Sequence, residues 1–257
     1  MASYPAEVLV LKKTKLGETD LILTLLSREG AQIRAVAKGA RKPGSRLATH
    51  LELYGVASVL LHGGKNLDIV TEAQMLCANE GCRADVEHSA GAAVLVELLE
   101  KVTRDSEVEA RLFPLSVEAL RCLGAVPHEG IPLIVAATIL KVLAQLGYRP
   151  ALDSCANCGS ALVLEKNRTV ALSIQQGGLL CSVCARQDTS TDRRSFDTQR
   201  ITWIQTLLGS RYVDLEHYVT EEYATIGTAM LDFARDWMRA HLLPTMRSLD
   251  FLYNFNR

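Results

Sequence analysis

Five short runs rich in Val, Ile, Leu and Thr occupy the first 75 residues: 6–13 (AEVLVLKK), 20–26 (DLILTLL), 31–37 (AQIRAVA), 51–60 (LELYGVASVL) and 67–75 (LDIVTEAQM). Turn-formers separate them at Gly17, Gly30, the Gly39–Ser45 stretch and His62-Gly63-Gly64. No helix-length amphipathic segment lies between the runs, so they must pair with one another. That pattern favours a compact antiparallel barrel or sandwich, and five strands in about 75 residues suit a small five-stranded barrel.

After Gly81 the periodicity becomes helical. Residues 86–102 (VEHSAGAAVLVELLEKV) carry apolar side chains at helical spacing. Ser106-Glu107-Val108-Glu109 predicts a second helix opened by a capping box, with Pro114 interrupting or restarting it. Residues 131–148 are apolar on nearly every face, as in a helix buried inside a bundle, and Gly147 supplies a stop. Helical patterns return at 198–209, 221–242 and 245–255. A chain of 257 residues accommodates two or more modules. The expected class is therefore α+β multidomain: a barrel over 1–80, helices over 81–150, a cysteine-bearing insertion over 151–190, and closing helices over 191–257.

That insertion holds the most specific chemical pattern. Cys155 and Cys158 form one C-x2-C pair, and Cys181 and Cys184 form another after 22 intervening residues. Two such pairs turn four thiolates toward one point, which suits a closed, structural tetrahedral Zn²⁺. Gly159 and Gly177-Gly178 fit tight turns with amides directed at sulfur, and VALSI (170–174) fits one strand of a hairpin in the gap. The competing readings are a pair of disulfides, disfavoured in a cytosolic protein, and buried free thiols. A thioredoxin-like redox role needs a pair on a strand-to-helix turn, which neither pair obviously occupies. Cys77, Cys82 and Cys122 read as packing residues.

Enzyme signatures are missing. There is no G-x-G, no G-x-S-x-G and no H-E-x-x-H, and Gly64-Lys65 lacks the rest of a phosphate-binding loop. Asp232 and Asp236, flanked by Arg235 and Arg239, read as a solvated helix face rather than a carboxylate pair. Ile131–Leu140, the longest strongly apolar stretch, falls short of the roughly 18 residues a membrane span requires and contains Pro132. The N-terminus has no signal-peptide pattern, so the expected location is the cytoplasm.

Charge points elsewhere. The net charge is −1, yet between Gly30 and Leu51 the chain carries Arg34, Lys38, Arg41, Lys42 and Arg46 and no acid. A flexible Gly/Pro/Ser-rich loop with such cations suits a phosphate backbone. Stacking on bases has less support, because Tyr4 and Tyr54 are the only aromatics in the first 80 residues. Solubility alone would also account for a charged loop.

Residues 16–54, with Gly17-Glu18-Thr19-Asp20, Lys38-Gly39-Ala40-Arg41 and Ser45-Arg46, and the later Leu67–Gln74, resemble the N-terminal signature of the RecO family of bacterial recombination mediators. The resemblance extends along the whole chain. It implies an oligonucleotide-binding (OB) barrel, a helical domain and a zinc-binding insertion. It further implies binding to single- and double-stranded DNA, strand annealing, and action with RecR to help RecA replace single-strand-binding protein, in the cytoplasm at the nucleoid. Carried over, Arg34, Lys38, Arg41, Lys42 and Arg46 become the DNA-contacting candidates, and Cys155, Cys158, Cys181 and Cys184 the zinc ligands. The family's helical domain receives the C-terminal tail of single-strand-binding protein, for which Arg235, Arg239 and Arg247 are candidates. An adaptor that binds only proteins and a metal-dependent nuclease are the rival readings.

Overall fold

The structure, a computed structural model, describes residues 2–105, 108–165, 168–188, 193–218, 224–242 and 245–255. The chain divides into two compact units, Met1–Ala125 with Met246–Arg257, and Val126–Thr245.

In the first unit β1 (Ser3–Leu16), β2 (Asp20–Ser27), β3 (Gln32–Ala37), β4 (Val56–His62) and β5 (Asp68–Cys77) close a barrel in the order β1-β2-β3-β5-β4. Only β3 and β5 pair in parallel, Ala35 opposite Asp68; the other pairs are antiparallel. This is the order of an OB-type barrel. Every second residue points inward, so Val8, Val10, Leu23, Leu25, Ala35 and Val59 form the core while Arg34 and Lys38 are left outside. A bulge between Val10 and Lys12 re-aims the long β1 so that it can pair with both neighbours.

The run 51–60 is a strand only from Val56. Residues Arg46–His50 form a short helix, α1. Leu47 and Leu51, four apart, lie on one helical face and pack against the barrel core, which overrides the β-like composition.

Helix α2 covers Val86–Val102, as its periodicity predicts, with the Asp85 carboxylate accepting from the His88 amide. The predicted capping-box start falls partly on Ser106 and Glu107, outside the described residues. The described Val108–Ala110 are not helical, and α3 (Leu112–Leu123) starts later, with Pro114 in its first turn, where a missing amide hydrogen costs nothing. The backbone of Glu109 and Ala110 instead lies on Gly30, where an added Cβ would sit 2.2 Å from the Glu109 carbonyl carbon; Gly30 also has φ +95°. Only glycine satisfies both conditions.

The chain returns to this unit as α9 (Arg247–Phe255). Glu97 of α2 caps it from outside: the amides of Arg247 (3.3 Å) and Ser248 (2.8 Å) and the Ser248 hydroxyl donate to its carboxylate. Burial pushes the Glu97 carboxyl up, but these donors outweigh it and hold it below the ordinary range. Replacing Glu97 with Gln is expected to cost about 1 to 2 kcal/mol in urea unfolding at neutral pH. A depressed carboxyl stabilises fully above its unfolded value of about 4.3, and the effect disappears as pH falls through the folded value. The two proteins should therefore converge in stability in acid.

In the second unit α4 (Ile131–Gln145) is buried along Ile131–Leu140 without a break, with α8 (Ala224–His241) packed along it. The stretch His128–Gln145 is long and apolar enough to cross a membrane, but 72% of it is buried inside the protein, as in a core helix. Trp237 of α8 donates its indole N–H to the Tyr148 carbonyl (2.8 Å). Helix α6 matches its predicted span, Thr198–Gly209, and the short α7 (Tyr212–Glu216) follows it; residues 221–223 of the helix predicted over 221–242 lie outside the described residues. Between α4 and α6 a small sheet, ordered β7-β6-β8, is built from β6 (Thr169–Ser173), β7 (Gly178–Leu180) and β8 (Arg194–Asp197), with the short helix α5 (Ser182–Gln187) after β7.

Candidate nucleic-acid interface and metal centre

The basic stretch is not a slack loop. The Gly39 amide donates to the Asp20 carboxylate (2.8 Å), the Arg41 amide to the Thr19 carbonyl (2.8 Å), and the Arg41 guanidinium to the carbonyls of Gly17 (3.1 Å) and Glu18 (2.9 Å). Successive tight turns, Lys42 amide to Gly39 carbonyl and Ser45 amide to Lys42 carbonyl, complete it. The Gly39 amide, helped by the Thr19 hydroxyl and by Lys38 and Lys42, holds the Asp20 carboxyl below its usual range. Gly17–Asp20 and Lys38–Arg41 are therefore two halves of one hydrogen-bonded structure, which corrects the expectation of flexibility.

All five cations are exposed, and none pairs with a carboxylate among the described residues. Arg34 lies on the outer face of β3, and Lys38 stands in the turn just past its end. Lys42 lies beside Asp20 with Lys38, and Arg46 opens α1. Arg41 differs, since its guanidinium is already engaged by two carbonyls. Sequence reasoning missed Lys65 and Arg104, which line a cavity of about 500 Å³ with Arg34. Only the pairing of β3 with β5 brings Lys65 to Arg34, so no local pattern could have revealed it.

In the second unit the sulfurs of Cys155, Cys158, Cys181 and Cys184 all lie within 4.8 Å of one another, with Cys158 and Cys181 at 3.9 Å. Four sulfurs about 2.3 Å from a tetrahedral zinc stand about 3.8 Å apart, so the cluster fits a metal of that size. Burial pushes the Cys155 thiol up, but the amides of Cys181, Cys158 and Asn157 outweigh it and bring it to about 6. The Ser160 hydroxyl and amide lower Cys158. Asn157 pulls Cys184 down, yet the crowding sulfurs of Cys181, Cys158 and Cys155 push it up to about 12. Four thiolates this close repel one another, and a divalent cation at their centre removes that repulsion.

Local geometry departs from expectation in three places. Gly159, at φ +73°, turns the first knuckle as predicted, but Gly178 pairs with Ala151 at a distance no side chain could enter, and the Gly177 carbonyl accepts the Ala151 amide (2.9 Å). Those two glycines join the hairpin to the chain rather than aiming amides at sulfur. The second pair does lie on a strand-to-helix turn, with Cys181 capping α5 and accepting the Cys184 amide (3.4 Å). Its sulfurs face the other pair, as a four-ligand cluster requires. Cys82 and Cys122 are buried, but Cys77 is exposed, its thiol donating to Asn79 (3.3 Å).

The remaining candidates are dispersed. Arg235 is engaged by Asp232 (3.2 Å) and Asp236 (3.1 Å), and Asp236 also by Arg194 (2.6 Å), so the carboxylate pair is a salt-bridge network. Arg239 is exposed on α8 and Arg247 exposed at the start of α9, in different units.

Fold and site together define a protein that joins a cation-bearing OB-type barrel to a helical unit with a metal-competent four-thiol cluster. Residues 1–78 match the family described as Recombination protein O N terminal, and residues 83–249 the one described as Recombination protein O C terminal. The chain belongs to the Recombination protein O family, a family of DNA repair and recombination proteins. It is 38% identical to the DNA repair protein RecO of Roseiflexus sp. (strain RS-1) over 185 residues, 72% of this chain and 63% of that one. With the DNA repair protein RecO of Desulfitobacterium hafniense (strain DSM 10664 / DCB-2) it shares 36% over 191 residues, 74% and 67% of the two chains. With that of Frankia casuarinae it shares 38% over 187 residues, 72% and 74%. The match thus spans less than two thirds of the Roseiflexus relative.

Proposed function

We propose that this chain is a non-enzymatic recombination mediator in the bacterial cytoplasm, at the nucleoid. Its barrel, residues 1–80, binds single- and double-stranded DNA without reading sequence. The helical parts, 81–150 and 191–257, receive RecR and the C-terminal tail of single-strand-binding protein and so help load RecA. The insertion, 151–190, is held together by a structural Zn²⁺ on Cys155, Cys158, Cys181 and Cys184, which supplies folding free energy and no reactive position.

The observation that carries this reading is the set of exposed cations, Arg34, Lys38, Lys42 and Arg46, on and beside β3 with no carboxylate partner among the described residues. Cations so placed attract the phosphate backbone and release its counterions. Two strands whose phosphates are neutralised together repel each other less, and complementary bases then pair unaided. The test is annealing of complementary oligonucleotides, bare and coated with single-strand-binding protein. Acceleration of both is expected. Acceleration of bare strands alone would remove the coat-protein contact, and a chain that neither anneals nor retards DNA at low salt would leave only the protein adaptor.

A further inference from the structure

At the end of the barrel where β1, β3 and β5 begin and β4 finishes, a cavity of about 500 Å³ opens, within the size range of small-ligand sites. Ile33, which packs against the barrel core, gives it an apolar floor. One wall is Tyr4, 37% exposed, whose hydroxyl donates to the Asp68 carboxylate. Asp68 also accepts the Gly64 amide (3.0 Å), so both its oxygens are engaged and the tyrosine ring is fixed in orientation.

Arg34 and Lys65 stand exposed at the rim. Arg104 joins them, its guanidinium held by the carbonyls of Lys101 and Thr103 (both 2.8 Å). Against these three cations the cavity presents Asp68 and Asp105. The other aromatic of the barrel, Tyr54, is buried, 5% exposed, so Tyr4 is the one ring of the barrel with a face to offer.

A planar ring, an apolar floor and rim cations are complementary to a nucleotide: base on ring, phosphate on cation. We propose that this cavity receives one unstacked nucleotide of a single DNA strand, its base against Tyr4 and its phosphates on Arg34 and Lys65. From there the backbone runs along the outer face of β3 to Lys38 and Lys42. A paired, stacked base in a duplex cannot enter, so the cavity contributes to single-strand binding alone. This inference rests on the DNA-binding reading and adds to it a strand preference and a base contact.

A short oligonucleotide carrying 5-iododeoxyuridine, irradiated on the intact protein, should crosslink to the tryptic peptide ending at Lys12, which contains Tyr4. Tyr4→Leu should weaken single-strand binding roughly tenfold while leaving duplex binding within about twofold. Tyr4→Phe, which keeps the ring, should retain most of it. Lys65→Glu, at an exposed loop position, should weaken single-strand binding in a chain that melts normally. Crosslinks elsewhere, with Tyr4→Leu and Lys65→Glu binding single strands like the parent, would overturn the proposal, as would equal losses on both forms of DNA. Loss of the crosslink to excess free mononucleotide would assign the cavity to free nucleotides instead. If the parent chain retards neither form of DNA, the wider reading fails first.

Discussion

Cys155→Ser is expected to abolish stoichiometric zinc and to lower the thermal midpoint by roughly 10 °C, the equivalent of about 3 to 5 kcal/mol in a chain of this size. Cys155 is 2% exposed and belongs to a small cluster with Leu180 and Cys184, packed against Leu162 and Ala171. The elements that carry the second cysteine pair are short: β7 has three residues and α5 has six. Elements so short are marginal without an added constraint, and the metal provides it by linking knuckles 22 residues apart in sequence. A chelator should shift the melting of the parent chain toward that of the variant and leave the variant unmoved. Cys122→Ala, at a buried position outside the cluster, should lower stability while keeping the metal. A Cys155→Ser chain that binds zinc fully and melts like the parent would remove the metal from the folding argument.

Reversing Lys38 and Lys42 together to Glu should weaken binding to DNA of any sequence about a hundredfold at low salt. The slope of log affinity against log salt should also flatten by about 2, one counterion contact per lost cation. Both side chains are exposed; two carboxylates in their place would disfavour the ionised Asp20, so a modest loss of stability is expected in a barrel that still folds. Arg41→Ala behaves differently, because its guanidinium ties the loop to Gly17 and Glu18. It should cost about 1 to 2 kcal/mol of stability and a smaller share of DNA affinity. Gel mobility across a salt series, beside urea unfolding of each variant, separates the two roles. Unchanged affinity in the double reversal would place the DNA contact elsewhere.

The sequence legibly encodes whatever depends on near neighbours. Runs of strand-forming residues bounded by turn-formers at 20–26 and 31–37 set β2 and β3, the uninterrupted apolar run from Ile131 sets α4 as a core helix, and paired C-x2-C spacing sets the thiol cluster. Each of these follows from a short run or a gap of a few residues, which local stereochemistry converts directly into structure. Where local preference met a longer-range contact, the longer-range contact prevailed. Leu51 left its β-like run to pack with Leu47 against the barrel, and the backbone at Glu109 followed Gly30 rather than extending a helix.

The tertiary structure alone decided which charges are available. Arg41 and Lys42 are adjacent and alike in sequence, yet one is bonded to the β1–β2 turn and the other is open to solvent. It likewise brought Tyr4, Arg34 and Lys65 to one cavity, through strand pairings that span up to 60 residues of chain. The physical reason is that such contacts are set by barrel closure and hydrogen-bond partners far along the chain, and no short stretch of residues contains that information.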